Sequence, residues 1–254
     1  KVKKIEFSQS SKLTEINEEA FSNSMIENIT IPSNITQISK RTFYQCSQLK
    51  NVTFSEQSKL KSIGKCAFYE SSIEFLSIVV LKKGWCHNVL NLNKIEIMKN
   101  KVQNFIEYNN ELIIGKSEPG IENFDVIVFA IRNIKNITIP SFIKRIGPFS
   151  FQYCTKLKNV KFEENSELIS IDQKAFDNSS IEKIEIPSHV TQIQKFAFSN
   201  CNHLKKVEFT ENSELETIEK YAFARSSIEK FNLPLNVKII DEGAFNLCDS
   251  LNVF

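Results

Sequence analysis

The chain has 254 residues, 41% of them apolar, with 21 Phe and only 6 Gly, so it carries ample material for a core and is no flexible linker. A net charge of +2 gives no basis for binding nucleic acid or an anionic membrane, and no apolar run approaches the ~20 residues that a membrane span needs. The opening Lys1-Val2-Lys3-Lys4-Ile5-Glu6-Phe7 alternates like a strand and lacks the apolar block of a signal peptide.

Taken in order, residues 1–78 predict four strands, at 2–7, 26–31, 49–54 and 73–78. In each, two apolar positions flank one exposed position, the alternation of a strand with one face buried. Pro32, Pro140, Pro187 and Pro234 follow the Ile-type strands, where a residue with no amide to donate ends sheet pairing. The Phe-type strands run instead into polar loops such as Ser55-Glu56-Gln57-Ser58 and Thr210-Glu211-Asn212-Ser213. A Phe then recurs at 21, 43, 68, 151, 176, 198, 223 and 245, in steps that alternate between 22 and 25 within each uninterrupted run. The period is therefore 47 residues, two turns at a time. Residues 181–223 state it most fully, as Ile181-x-x-Ile184-x-Ile186-Pro187, Val190-x-x-Ile193, Ala197-Phe198, then Leu204-x-x-Val207-x-Phe209, Leu215-x-x-Ile218, Ala222-Phe223. One such turn cannot bury its apolar side, but a stack of them buries a continuous core. The Ala-Phe pair is expected on the convex side, in a short turn or single helical turn that returns the chain.

Residues 79–133 break the beat: Ile73 to Ile134 spans 61 residues, 14 more than the period. Leu92-x-x-Ile95-x-Ile97 reads as a strand and Glu111-Leu112-Ile113-Ile114 as a second apolar run. Three shortened turns would fit. So would a local hairpin, with Lys116-Ser117-Glu118-Pro119-Gly120 as its turn. The segment holds the single Trp, Trp85, beside Cys86 and His87. Either Trp85 fills the core of an irregular repeat or it marks an island that protrudes to contact a partner.

The spacing L-x-x-L-x-L at 20–29 residues is the sign of leucine-rich repeats. The strings IPSHVTQIQKFAFSNC, IPSNITQISKRTFYQC and IPSFIKRIGPFSFQYC resemble the BspA-like subfamily, whose hallmark is I-P-x-x-V-x-x-I-x-x-x-A-F-x-x-C. The resemblance covers residues 1–78 and 134–254. It implies a solenoid, a leucine-rich repeat arc with a parallel β-sheet on the concave face and short turns or helical turns on the convex face. On that reading residues 1–254 form one domain: regular repeats over 1–78, irregular repeats or an inserted island over 79–133, and regular repeats over 134–254. Because both ends fall inside a repeat and show no polar cap, the chain is expected to be a fragment of a longer protein.

Cys46, Cys154, Cys201 and Cys248 share one position of the period, so they stack on alternate turns. Turns ~4.8 Å apart place them roughly 9–10 Å from one another, beyond the ~7 Å Cα separation a disulfide tolerates. The intervening turns are expected to carry Asn23, Glu70, Asn178 and Arg225 at that position. Buried free thiols are expected there, while Cys66 and Cys86 lie off the column with no obvious mate. Among His87, His189 and His203, the last lies two residues from Cys201, but C-x-H lacks zinc-site spacing. No phosphate-binding glycine loop, nucleophile elbow or H-E-x-x-H occurs, and the acidic loops lack a calcium-binding pattern. No enzyme, cofactor or metal is expected. Sequons at Asn28, Asn34, Asn51, Asn136 and Asn178 permit a secretory history without requiring one.

What remains is the exposed face of the strands. The residues on either side of the second apolar position point there. In the first half they are mostly Asn and Thr, interrupted by Phe75. In the second half Lys183, Lys206 and Lys230 form a basic stripe beside an acidic one of Glu185 and Glu208. These residues, with Trp85 as the rival island, are the candidate partner-binding set. The family resemblance implies a non-enzymatic protein-binding module of a cell-surface adhesin or antigen that contacts host cells or matrix proteins, and no single binding residue carries over from it. An intracellular protein–protein interaction scaffold is the alternative; neither nucleic acid nor direct membrane insertion is expected.

Overall fold

The computed structural model describes residues 1–8, 10–55, 57–78, 85–97, 105–117 and 122–252, which divide into two compact units, Lys1–Ile106 and Glu107–Phe254. Each unit is a parallel β-solenoid. In the first, strands Asn28–Ile31, Asn51–Phe54, Phe75–Ile78 and Lys94–Ile97 pair in that order, all parallel. In the second, Asn136–Ile139, Asn159–Phe162, Lys183–Ile186, Lys206–Phe209 and Lys230–Phe231 do the same. These strands begin two residues later than the apolar pattern suggests. The expected strand over 2–7 is absent; that segment is held at Val2, whose carbonyl accepts the Met25 amide at 2.7 Å.

The alternation does its work within each strand. In Asn28–Ile31 and Lys183–Ile186 the second and fourth side chains are buried and the first and third exposed. Register aligns the inward residues, Ile29 with Val52 with Leu76 with Ile95, and Ile184 with Val207 with Phe231. Each such side chain gains roughly 1.5–3 kcal/mol on full burial.

A second parallel sheet goes beyond what the sequence pattern indicates. Its strands are two residues long: Glu15–Ile16, Gln37–Ile38 and Ser62–Ile63 in the first unit. In the second they are Arg145–Ile146, Ser170–Ile171, Gln192–Ile193, Thr217–Ile218 and Ile239–Ile240. In most of them the Ile is buried and its neighbour faces outward.

The expectation of helical turns on the return side is corrected: among the described residues there is no helix there, and the backbone gives the reason. Two columns of left-handed residues bracket the recurrent Phe. Glu19, Arg41, Cys66, Phe149, Lys174, Phe196, Tyr221 and Gly243 stand two residues before it, and Asn23, Gln45, Glu70, Tyr153, Asn178, Asn200, Arg225 and Leu247 two after, all with φ between 51° and 64°. A helix cannot pass through two such residues four apart, and each non-Gly one costs roughly 1–2 kcal/mol. Hydrogen bonds offset that cost. Around Phe198, the amides of Phe196, Phe198 and Asn200 donate to the carbonyls of Lys220, Ala222 and Ala224 of the next turn at 3.1, 2.7 and 2.8 Å. The same triple recurs at Arg41, Phe43 and Gln45. Ala at the acceptor position lets the turns approach, and the Phe rings stack inside. Phe151, Phe176, Phe198, Phe223 and Phe245 follow one another at centroid separations of 4.9–5.4 Å, with their ring planes nearly parallel.

The irregular segment resolves in favour of a hairpin. Leu112–Gly115 pairs antiparallel with Val126–Ala130, with a bulge between Ile127 and Phe129. Of its turn, Glu118, Pro119 and Gly120 lie outside the described residues. Val126–Ala130 then joins the short-strand sheet beside Arg145–Ile146. Arg132, buried here, donates to the carbonyls of Ala130 and Ser150 at 3.1 and 2.8 Å and stacks over Phe129 at 4.2 Å. Lys94–Ile97 is parallel to Phe75–Ile78, so the Leu92-x-x-Ile95-x-Ile97 run is a regular turn.

Candidate functional site: the charged face of the long strands

Strand register converts the sequence stripes into rows. In the second unit Lys183 lies opposite Lys206 and Lys206 opposite Lys230, while Glu185 lies opposite Glu208. All five side chains are exposed. Neighbouring strands are ~4.8 Å apart, and like charges directly opposite one another repel. Part of that repulsion is offset along the strand, where Lys206 Nζ meets Glu208 Oε1 at 2.7 Å. Lys183, Glu185 and Lys230 take part in no ion pair among the described residues. The Lys row begins in neutral amides, with Asn159 Nδ2 donating to Asn136 Oδ1 at 2.7 Å, whereas the Glu row is preceded by Lys161, exposed at the third position of Asn159–Phe162.

Either side of these rows the charge differs. Where the strands enter, Lys158 Nζ donates to Glu182 Oε1 at 2.9 Å, which holds the Glu182 carboxyl below its ordinary range. Lys205 pairs with Glu229 at 3.4 Å. Where the strands leave, an open groove between the sheet and the polar loops carries Glu163, Glu164 and Glu211 together with Glu185 and Glu208. The face thus grades from mixed and basic to acidic along the strand direction.

Phe75 lies in the other long-strand sheet, in the first unit. It is half-buried, aligned with Asn51 and Lys94, and the Lys94 ammonium sits over its ring at 5.6 Å. Its neighbours form a polar ladder in which Asn51 donates to Asn28 at 2.5 Å and Thr30 and Thr53 hydroxyls meet at 2.9 Å. Trp85 is 1% exposed. It packs as core, so it does not present an aromatic anchor at the surface.

The cysteine column is buried, and its partners differ from the sequence reading. Cys46, Cys201 and Cys248 each meet a serine of the preceding turn, Ser24, Ser179 and Ser226, one position beyond Asn23, Asn178 and Arg225, which serve instead as left-handed turn residues. Each of these thiols also donates to a carbonyl of the preceding turn, Phe21, Phe176 or Phe223, at 3.0–3.1 Å. Burial pushes the Cys201 thiol up to about 12. Off the column, Cys66 Sγ lies 3.6 Å from His87 Nδ1.

The structure adds groups that single-position reading passes over. Buried Asp172 accepts from Arg145 at 2.6 Å, Ser170 at 2.9 Å and Gln194 at 3.2 Å. Buried Asp177 accepts from Gln152 at 2.9 Å and from Asn178 and Asn200 at 3.0 Å. Both carboxylates tie successive turns together, with their acceptor oxygens consumed by neighbours. Among the described residues no group of three or more His, Cys, Asp or Glu is placed to hold a metal ion.

Short parallel strands, a Phe-stacked core and a return side of paired turns define a leucine-rich repeat solenoid, a class that generally presents its long-strand sheet to proteins. The profile of the BspA-type leucine-rich repeat region matches six copies over residues 1–83 and 122–252, and the chain belongs to that family. Similar folds occur in the pneumococcal vaccine antigen PcpA, with TM-score 0.70 and 22% identity over 96% of this chain and 54% of PcpA. A leucine-rich repeat protein of Eubacterium ventriosum has TM-score 0.62 and 21% identity, over 94% of this chain and 81% of its own. A leucine-rich cell surface protein of Faecalibacterium prausnitzii has TM-score 0.52 and 21% identity, over 78% and 63%. The chain thus spans about half the length of PcpA. No curated protein matches the sequence. No helix among the described residues is long and apolar enough to cross a membrane.

Proposed function

We propose that this chain is a non-enzymatic protein-binding segment of a cell-surface protein, and that it docks partners on the long-strand face of its second unit. The observation that carries the reading is the registered row Lys183, Lys206, Lys230 beside Glu185 and Glu208, exposed on a rigid sheet. Backbone pairing fixes the spacing of the rows, while each long side chain still loses rotamer freedom on binding, and complementarity of the rows sets encounter rate and specificity more than raw affinity. The surface location and an adhesive role draw support from PcpA, described as a vaccine antigen, and from the F. prausnitzii cell surface protein. Host cells or extracellular matrix are the partners this reading names.

The test is association with immobilised extracellular-matrix extract and with fibronectin, measured for the parent and for Lys183→Glu/Lys206→Glu. The double reversal is expected to slow association and to weaken its salt dependence, with unchanged circular dichroism. Unaltered binding by the folded double variant would remove the charged rows from the site.

A further inference from the structure

The two charge rows are not only complementary to some other surface; they are complementary to themselves. The Lys row occupies the first position of each strand and the Glu row the third, so on one face they run side by side about 7 Å apart. Consider a second copy laid face to face, related by a twofold axis that runs perpendicular to the strands and lies over the Ile184 and Val207 column. That operation reverses the strand direction and keeps the strand order. It sets Lys183 against Glu185 of the other copy and Lys206 against Glu208, each contact occurring twice, as an isologous interface requires. The other in-plane twofold, parallel to the strands, would stack the Lys row on the Lys row, and repulsion excludes it.

We infer that the long-strand face of the second unit pairs with the same face of a second copy of this chain. The inference rests on the reading of this face as a protein-docking surface, and it adds a second copy of the chain as an occupant that competes there with matrix. Pairing relieves what the isolated sheet leaves uncompensated, since Lys183 and Glu185 find no ion-pair partner within the described residues. Three strands of this length present on the order of 200 Å², well below the ~800 Å² per partner of a standard stable interface. Exposed ion pairs are individually weak and salt-sensitive. The pairing is therefore weak and strongly dependent on ionic strength, of the kind that many copies crowded at one surface make effective through multivalency.

Sedimentation velocity over a concentration series tests this with the chain as it stands, at ionic strengths of about 0.01 M and about 0.15 M. The parent is expected to self-associate at the lower value and to dissociate at the higher. Lys183→Glu/Lys206→Glu is expected to weaken self-association about tenfold or more, because attractive pairs become repulsive. The fourfold exchange Lys183→Glu, Glu185→Lys, Lys206→Glu, Glu208→Lys restores opposite charges across the same twofold, so it is expected to self-associate like the parent. A parent that stays monomeric at low ionic strength overturns the proposal, and so does an exchanged variant that stays monomeric where the parent associates. If the parent is monomeric while the double reversal still slows binding to matrix, only self-pairing fails. If both measurements are negative, the docking face fails with it.

Discussion

Phe198→Ala isolates what holds the stack together. The side chain is fully buried and lies between Phe176 and Phe223, each 5.2 Å away and within 4° of parallel. Removing a buried Phe ring costs about 3–5 kcal/mol from lost transfer and the residual cavity. Aromatic pairs add about 0.5–1.5 kcal/mol each beyond area burial, and two are lost, so the upper end of the range is expected. The neighbours cannot close the gap, because the amide of Phe198 is tied to Ala222 at 2.7 Å and the amide of Phe176 to Ala197 at 2.8 Å. Urea unfolding followed by circular dichroism measures the loss, and amide exchange locates it, with protection expected to fall on both flanking turns because they share one core. Phe21→Ala is the control: that ring is half-buried and, among the described residues, stacks only on Phe43, at 5.4 Å in the first unit. A Phe198→Ala protein within about 1 kcal/mol of the parent, or no worse than the control, would refute the account of the core.

Burial holds the proton on Cys201, so its contribution to stability is complete below the ordinary thiol range, near pH 8.5, and is lost as pH rises toward about 12; Cys201→Ala should flatten the alkaline side of the stability–pH curve. Arg132→Met should destabilise by roughly 2–3 kcal/mol in thermal or urea unfolding, because the Ala130 and Ser150 carbonyls lose a buried charged donor. Arg225 is exposed at φ 58°, where Asn is better tolerated, so Arg225→Asn should raise stability by about 0.5–1 kcal/mol, whereas Ala222→Asn, at a buried position between turns, should lower it.

Much of the fold is written in the sequence because a repeat states it many times. The apolar pair of each long strand and the Phe column follow from alternation and period alone. What escaped has a physical cause in each case. A two-residue strand such as Gln192–Ile193 offers one buried Ile, which is too short a pattern to distinguish from a turn. The return side reads as a helical turn because Ala and Phe are compatible with one, and the contrary signal is sparse. Asn23, Asn178 and Asn200 mark the left-handed column, but Tyr153, Arg225 and Leu247 occupy it elsewhere, and Tyr153 and Arg225 are held there by bonds to Asp177 and Asn246 of the next turn rather than by preference. The serines that alternate with the stacked cysteines are legible in the spacing itself: three residues after the recurrent Phe come Ser24, Ser71, Ser179 and Ser226, all buried, and Asn23, Glu70, Asn178 and Arg225 stand one residue earlier. Trp85 is ambiguous in sequence, since a lone aromatic in an irregular segment suits either core or contact, and burial decides for core. The charged rows were legible because the apolar pattern fixes the same position in every strand whatever the loop length, whereas their occupant is not encoded in the spacing.

The docking face is tested most directly by the acetylation rates of individual lysines, measured by mass spectrometry on the free chain and on the chain bound to matrix extract. Lys183, Lys206 and Lys230 are exposed on the strand face, and Lys174, Lys195 and Lys220 lie on the return side. Binding is expected to slow modification of the first three by about tenfold or more while leaving the other three unchanged, because an interface that desolvates a charge row excludes reagent from it. Protection confined to Lys174, Lys195 and Lys220, with the strand-face lysines as reactive as in the free chain, would contradict the assignment of the long-strand sheet as the binding surface.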